Sequence, residues 1–295
     1  MPAGFILIDK EPGWTSHDVV AKVRGSIGGK VGHAGTLDPM ATGLLILAVG
    51  GATRLLRFVQ ASRKEYTASA LFGVATDSLD ADGAVLSREP MPVSQEQVES
   101  VLDRFRGNIV QVPPMVSARK VEGKRLYELA REGKVVEREA RPVTIDELSI
   151  VDFTPSDYPE VTFKIECSTG TYIRTLGDDI ARALGGRAHL TALRRTRNGS
   201  MDVSDAASVD EVATAVDQGS VGELIVEASV ALGGFDALAV DEPGAFRVRN
   251  GRPMALEPSV DIDDGAYLRV VDDAGALIAV YSRVGEQLLP EVVLA

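Results

Sequence analysis

A glycine-rich loop followed by an uninterrupted apolar run constrains the fold of this 295-residue chain more than any other segment. Three glycines between positions 32 and 43 permit positive φ, and Pro39 keeps the preceding Asp38 out of the helical region. The run Leu44–Val49 has the composition of a buried strand. The sequence therefore predicts a carboxylate in a fixed position before that strand. Two interpretations stand: a group aimed at a ligand, or the N-cap of a helix starting near Pro39.

Hydrophobic periodicity predicts strands and helices along the rest of the chain. The clearest strand is Lys64–Gly73, where Tyr66, Ala68, Ala70 and Phe72 share one face. Further strands are predicted at Phe5–Ile8, Val143–Phe153 and Val161–Cys167. Helices are predicted at His17–Arg24 with Ser16 as N-cap, at Thr53–Gln60, from a Ser94/Gln97 capping box through Arg106, and at Thr175–Leu184 and Val209–Gln218.

This mixture of elements predicts an α/β (α+β) protein with two domains. Two domains also suit the length, because single hydrophobic cores stop growing near roughly 250 to 300 residues. A shift in composition at Ala231–Gly234 indicates a linker. Beyond it, short β-like runs such as Ala266–Val271 and Ala276–Tyr281 are typical of a small barrel.

Several protein classes are excluded by what the sequence lacks. It has no basic N-terminal segment and no uncharged apolar stretch near the roughly 18 residues of a membrane span, so we expect a soluble, cytoplasmic protein. The single cysteine, Cys167, excludes intramolecular disulfides and thiolate metal clusters, and we expect it to be buried in a strand. No P-loop, dinucleotide fingerprint or nucleophile elbow occurs.

The candidate metal ligands favour neither zinc nor calcium. No two of the three histidines, His17, His33 and His189, have zinc spacing. The segment from Ser78 to Gly83, with Glu89 at its twelfth position, nearly matches a calcium loop, but a serine replaces the leading acid. A polar hairpin turn is the better interpretation. We expect no metal and no other cofactor.

The net charge of -12 conceals an uneven distribution. Residues 201–295 hold 5 basic and 18 acidic side chains, whereas residues 1–200 hold 26 and 25. Within the first part, Gly185–Arg197 carries four arginines and no acid, and Arg119–Arg141 carries eight basic and five acidic residues. Lysine and arginine displace the counterions of nucleic acids, so both segments are candidate phosphate-binding surfaces or solvated faces.

Three further residues have local interpretations that compete with a functional one. Tyr66 begins a strand and could simply pack in the core. Arg174 lies at a helix start, where the helix dipole opposes a cation, so it needs a carboxylate from Asp178, Asp179 or the distant Asp38. Leu193 alone would be a core leucine.

Five segments taken together resemble the TruB family of pseudouridine synthases in their order and residues. They are Leu7–Ser16, Gly32–Pro39, Lys64–Tyr66, Gly170–Arg174 and Ala188–Arg195. The resemblance covers residues 4–200 closely and the last 60 or so more weakly. It implies a pseudouridine synthase fold with a central mixed, largely antiparallel sheet flanked by helices. It also implies a catalytic domain at 1–230, an RNA-binding thumb insertion at 117–141 with a helix at Arg125–Arg131, and a PUA-like barrel at 235–295.

The same resemblance implies an activity, a partner and site residues. The activity is isomerisation of uridine 55 to pseudouridine in the T-loop of tRNA, after base flipping, with an added tRNA-folding activity. The partner is the tRNA T stem-loop, acted on by a monomer without a protein partner. Asp38 is implied as the covalent catalyst, kept ionised by Arg174; Tyr66 as the stacking residue and a candidate acceptor of the C5 proton; Leu193, His33 and Lys10 as substrate-binding residues.

Basic residues of the thumb and of the arginine-rich segment are expected to contact RNA phosphates. They are Arg119, Lys120, Lys124, Arg125, Arg187, Arg194, Arg195 and Arg197. Two rival functions remain: a catalytically silent RNA-binding protein, which would not need Asp38, and an aspartate-nucleophile hydrolase of small substrates, which would not need the basic insertion.

Overall fold

A computed structural model of the chain describes residues 3–114, 120–121, 124–125, 138–256 and 260–294. Most of the predicted thumb, including Arg119 and the predicted helix at Arg125–Arg131 beyond its first residue, lies outside the described residues. Lys120, Lys124 and Arg125 are described only as backbone, in two short paired strands.

Strands and helices alternate along the chain. The strands are β1 (Gly4–Lys10), β2 (Val31–Ala34), β3 (Thr42–Val49), β4 (Lys64–Phe72), β5 (Val74–Thr76), β6 (Val85–Arg88), β7 (Gly107–Gln111), β8 (Lys120–Val121), β9 (Lys124–Arg125), β10 (Arg141–Thr154), β11 (Glu160–Cys167), β12 (Ala188–Asn198), β13 (Met201–Asp202), β14 (Ala237–Ala239), β15 (Met254–Ala255), β16 (Tyr267–Val271), β17 (Leu277–Val284) and β18 (Gln287–Val293). The helices are α1 (Ser16–Ile27), α2 (Leu56–Ala61), α3 (Gln95–Leu102), α4 (Ile173–Ala183), α5 (Val209–Asp217), α6 (Ala228–Ala231) and α7 (Glu242–Arg249).

A mixed, largely antiparallel sheet organises the larger part of the chain. Its strands follow the order β1-β3-β12-β4-β11-β10-β7, with β2 added on β3 and β13 on β12. Only β3 and β12 pair in parallel; the other pairs of this sheet are antiparallel. The prediction of a mixed, largely antiparallel sheet is confirmed.

The apolar run after the glycine-rich loop is buried on both faces of this sheet. Leu45, Leu47 and Val49 of β3 pack in a core with helices α1, α3, α4 and α5. Leu44, Ile46 and Ala48 of the same strand pack in a second core with α2, α6 and strands β17 and β18. A strand buried on both faces has no polar positions, which explains why this run lacks alternation.

The N-cap of α1 is not the predicted residue, and this difference affects the glycine-rich loop that carries Asp38. Thr15, not Ser16, is the N-cap, because its hydroxyl accepts from Asp18 N and Asp18 returns the bond in a capping box. The buried Ser16 hydroxyl instead accepts from Leu37 N at 2.9 Å and donates to Leu37 O at 3.2 Å. Ser16 therefore ties α1 to the residue before Asp38. The predicted Ser94/Gln97 capping box is confirmed at α3.

The C-terminal region forms a separate five-stranded sheet in the order β14-β16-β17-β18-β15. It packs against α2 through the rings of Phe58, Phe235 and Tyr267, with Phe58 and Tyr267 edge-to-face at 5.1 Å between centroids. Arg57 also forms a salt bridge with Glu291 at 2.6 Å. In the part of the chain that the structure describes, no helix is long and apolar enough to cross a membrane.

Candidate active site

A cleft of about 300 Å³ opens where the Asp38 loop, the start of α4 and strands β4 and β12 meet. This volume is at the lower end of the range of small-molecule pockets. Its lining residues come from four separate sequence segments and from α2: Gly35, Thr36, Leu37, Asp38, Gln60, Lys64, Tyr66, Ser168, Thr169, Gly170, Thr171, Tyr172, Ile173, Arg174, Leu193 and Arg195. The structure therefore brings Asp38, Tyr66, Arg174 and Leu193 together, as the resemblance implied.

Asp38 does not cap a helix, since no helix starts at Pro39. A buried lysine holds the loop from behind instead: Lys10 Nζ donates to Glu11 O, Trp14 O and Pro39 O at 2.9, 2.7 and 3.2 Å. All three ammonium protons of Lys10 are thereby used. Lys10 is fully buried and absent from the cleft lining. These bonds position the loop, and the expected contact of Lys10 with substrate stays a prediction.

Arg174 binds Asp38 at two points. Its Nε lies 3.0 Å from Asp38 Oδ2, and its Nη2 donates to Asp38 Oδ1 at 3.1 Å. This fork matches both oxygens of the carboxylate and fixes the plane of the carboxyl group. Of the partners that the sequence left open, Asp178 binds Arg182 and Arg187 instead. Arg174 is thus paired with the distant Asp38.

The remaining side of Arg174 is held by a carboxylate that sequence reasoning missed. Arg174 Nη1 donates to Asp80 Oδ2 at 3.0 Å and to Ser78 O at 2.8 Å. Asp80 is buried, and its Oδ1 accepts from Ser78 Oγ and from Asp82 N. The one sequence feature that could have pointed to Asp80 was the acidic segment that resembled a calcium loop. In the structure that segment is the turn of the β5–β6 hairpin, and its central carboxylate serves an arginine.

Burial raises the pKa of the Asp38 carboxyl above that of an ordinary aspartate, and the charge of Asp80 adds to this effect. Arg174 and Lys10 act in the opposite direction but do not outweigh burial. Arg174 therefore favours the ionised form of Asp38, as the resemblance implied, while burial opposes it. Burial likewise lowers the pKa of Lys10 to about 8.

Tyr66 and Leu193 form the apolar floor of the cleft. In the β4–β12 register, Tyr66 lies opposite Arg195 and Leu193 opposite Ala68. Tyr66 is 9% and Leu193 6% exposed, so each presents only a small part of its surface to the cleft. Burial raises the pKa of the Tyr66 phenol, while the nearby Arg195 lowers it. The phenol is therefore protonated at neutral pH.

His33 lies on β2, outside the cleft lining. Its ring contacts His17 of α1 edge-to-face, with 5.3 Å between centroids. Its Nδ1 is buried and has no hydrogen-bond partner among the described residues. Burial, with His17 and Arg195, lowers the pKa of His33, which favours the neutral ring.

The arginine-rich segment is not one uniform basic surface. Arg187, Arg194 and Arg197 are partly exposed, and each already pairs with a carboxylate: Asp178, Asp9, and both Glu65 and Glu166 respectively. Arg195 is only 1% exposed and lies in the cleft, apart from these outer arginines, so its expected phosphate contact, which stays a prediction, would be made inside the cleft. Alternation along β12 turns neighbouring arginines to opposite faces.

The sequence matches two family models across this site. The N-terminal domain of the TruB family pseudouridylate synthases matches residues 22–173, and the tRNA pseudouridylate synthase B C-terminal domain matches residues 174–226. The chain belongs to the TruB family. The matched ranges include Asp38, Tyr66, Arg174 and Leu193, and the family is one of pseudouridine synthases.

Individual TruB relatives match over most of their length. The tRNA pseudouridine synthase B of Geobacter sulfurreducens is 42% identical over 284 residues, which cover 94% of this chain and 92% of the relative. The tRNA pseudouridine synthase B of Thermobifida fusca is 47% identical over 220 residues, which cover 72% of this chain and 75% of the relative.

Solved structures show the same fold at lower identity. A chain of a Cbf5–Nop10–Gar1 complex superposes with a TM-score of 0.78 at 24% identity, covering 99% of this chain and 84% of that chain. A chain of an H/ACA RNP bound to a substrate RNA containing 2′-deoxyuridine superposes with a TM-score of 0.74 at 22% identity. The match covers 98% of this chain and 83% of that chain.

Proposed function

We propose that this TruB-family protein isomerises uridine 55 of the tRNA T-loop to pseudouridine, with Asp38 as covalent catalyst. The observation that carries this proposal is the two-point contact between Arg174 and Asp38 beside the buried Tyr66 and Leu193. The choice of tRNA is supported by the relatives named tRNA pseudouridine synthase B.

The reaction breaks the N1–C1′ bond, turns the uracil and joins its C5 to C1′. The proton lost from C5 is balanced by one gained at N1, so the product is an isomer. An ionised carboxylate fixed by an arginine fork suits nucleophilic assistance to an electron-poor sugar–base unit, as in glycosidases. Arg174 supplies the orientation, since both oxygens of Asp38 are held.

A uridine inside a folded T-loop must leave its stack before Asp38 can reach it, at a cost of a few kcal/mol. In the proposed complex the flipped uracil stacks on Tyr66 and packs against Leu193. Tyr66 is also the candidate acceptor of the C5 proton. Because the phenol starts protonated, it must first give up its own proton to act as that acceptor.

His33 would fill the position that the flipped base vacates, where a neutral imidazole can stack on the neighbouring bases. The basic residues of the thumb, with Arg187, Arg194 and Arg197, would hold the arm through its phosphates. These three arginines would share their guanidinium groups between their present carboxylates and the RNA. An added tRNA-folding activity would use the same surfaces.

We further propose a cytoplasmic monomer that acts without a protein partner. Asp38, Tyr66, Arg174 and Leu193 lie together in the cleft of a single chain, which supports this proposal. Light scattering of the protein with and without tRNA tests the stoichiometry, and a ratio other than one chain per tRNA contradicts it.

Incubation with an unmodified tRNA transcript, followed by carbodiimide treatment and primer extension, tests the function. The expected result is one new stop at the T-loop uridine. Asp38→Asn should abolish that stop and leave tRNA affinity within a few-fold. No stop with the unaltered protein, but tight tRNA binding, would support the silent RNA-binding rival. Hydrolysis of free nucleosides or esters without response to RNA would support the hydrolase.

A further inference from the structure

Two buried cations in the cleft have no carboxylate partner among the described residues. Lys64 is 5% and Arg195 1% exposed. Lys64 Nζ donates to Gln60 O at 2.5 Å and Ser62 O at 2.6 Å, whereas Arg195 donates to Leu44 O and Gly35 O at 2.7 and 3.2 Å. Neutral carbonyls orient both groups but leave both charges uncompensated.

Other charged groups nearby are compensated or fully bonded. Arg174 pairs with Asp38 and Asp80. Lys10 uses its three protons on carbonyls, while Lys64 uses two and keeps one. The acid next to Lys64 in sequence, Glu65, points to the opposite face of β4, where Lys164 and Arg197 bind it.

The two cations flank the aromatic floor of the cleft. Arg195 lies directly opposite Tyr66 in the β4–β12 register, and Lys64 is two residues from Tyr66 on the same strand face. The cleft wall on this side consists of neutral polar residues: Gln60, Ser168, Thr169, Gly170 and Thr171. Among the described residues that line the cleft, the only carboxylate is Asp38, and Arg174 occupies both its oxygens.

Burying an uncompensated charge is costly, and proteins normally pair such a group with a counterion or a ligand. Burial lowers the pKa of Lys64 to about 8, with Arg195 acting in the same direction, as expected for a cation that lacks an anion. The anion that would relieve this cost is missing from the described protein groups. It should therefore arrive with the substrate.

We propose that Lys64 and Arg195 form an anion subsite that binds a backbone phosphate adjoining the flipped uridine. This inference rests on the proposed function. With the uracil on Tyr66 and C1′ beside Asp38, the phosphates on either side of that ribose are the nearest anions of the RNA. One remaining ammonium proton of Lys64 and the guanidinium of Arg195 are donors suited to such an oxygen. The subsite draws the nucleotide backbone into the cleft after the base.

Hairpin RNAs of the T-arm with one neutral methylphosphonate test the inference. The linkage is placed 5′ of the target uridine in one RNA and 3′ in a second, and its affinity is compared with that of the all-phosphate hairpin. For the unaltered protein, one of the two positions should weaken binding about tenfold or more, since a charge-assisted contact is lost. In Lys64→Met the same linkage should cost clearly less than in the unaltered protein, because one of the two cationic partners of that phosphate, Lys64, is already absent and only Arg195 remains.

Lys164→Met is the matched control, because Lys164 is a half-exposed lysine on the opposite face of the same sheet. It should show the full methylphosphonate penalty. Lys64→Met should also reduce the dependence of log Kd on log salt by about 0.7, the value for one single-stranded phosphate contact. Circular dichroism checks that Lys64→Met remains folded. If that variant does not fold, Lys64→Arg is used instead and should retain part of the methylphosphonate penalty.

Equal methylphosphonate penalties in the unaltered protein and the Lys64 variant would overturn the inference. So would the absence of a penalty at both positions. Pseudouridine formation is measured separately on the all-phosphate RNA. If pseudouridine forms but Lys64→Met does not change the methylphosphonate penalty, the proposed function stands and the subsite is refuted. If Lys64→Met changes the penalty but no pseudouridine forms, the subsite stands and the proposed function is refuted.

Discussion

Arg174 grips both carboxylate oxygens of Asp38, a residue 136 positions away in the sequence, at 3.0 and 3.1 Å. Its third nitrogen binds the buried Asp80. One guanidinium therefore joins the loop that carries Asp38, the start of α4 and the β5–β6 hairpin. The carboxylate is fixed before substrate arrives, which is the condition for efficient positioning.

Arg174→Lys should strongly reduce pseudouridine formation. A lysine ammonium is a single point charge and cannot contact both Asp38 oxygens and Asp80 together. Loss of one or two charge-assisted hydrogen bonds, at about 1.5–3 kcal/mol each, predicts a single-turnover rate at least about tenfold lower. Arg182→Lys on the same helix is the control, because Arg182 is half-exposed and binds Asp178 outside the cleft. Equal rates for the two variants would contradict the assigned role.

Asp80→Asn should lower the rate of the chemical step with little change in tRNA affinity. Asp80 holds Arg174 and is not part of the cleft lining, so it acts on orientation and not on binding. We expect a loss of about tenfold, corresponding to one weakened charge-assisted bond. The comparison is Asp82→Asn, whose exposed side chain lies in the same turn. A rise in KM with unchanged kcat would instead assign Asp80 to binding.

The pH dependence of single-turnover rates should show an acid limb set by Asp38. Burial raises its pKa, and only the ionised form is competent, so activity falls as pH decreases through a value above the roughly 3.9 of a free aspartate. The charge of Asp80 adds to this upward shift. In Asp80→Asn the acid limb of the pH–rate profile should therefore move to lower pH, even if the maximum rate of the variant is lower. A limb that stays in place would show that another group titrates.

Gly43→Ala should destabilise the fold. Gly43 has φ +93°, and a Cβ there would lie 2.3 Å from Arg195 O on the paired strand β12. Strain of about 1–3 kcal/mol from the backbone alone, plus the clash, predicts a clearly lower free energy of unfolding in urea. Gly25→Ala is the control, because Gly25 is an exposed position of α1 with open space around it. Alanine there should raise the free energy of unfolding by about 1 kcal/mol. Similar effects at both positions would contradict this account.

Local patterns predicted the elements well where one rule dominated. Period-two alternation gave β4 within one residue at its end, and the Ser94/Gln97 pair gave the start of α3. The burial of Cys167 in β11 was also confirmed. At α1 two adjacent residues, Thr15 and Ser16, are both good N-caps, so local chemistry could not choose. The hydrogen bonds between Ser16 and Leu37 decided that choice.

The sequence by itself determined the family, the two-face burial of β3 and the identity of Asp38, Tyr66, Arg174 and Leu193 as a group, because ordered motifs and hydrophobic patterns are properties of the chain. Tertiary structure alone decided which partner each charge has. Asp80 lies 94 residues from Arg174, and Lys10 reaches Pro39 across 29. Arg194 and Arg195 are neighbours, yet one binds Asp9 at the surface and the other is buried in the cleft. Charge compensation depends on distance in space and on burial, and the order of residues encodes neither directly.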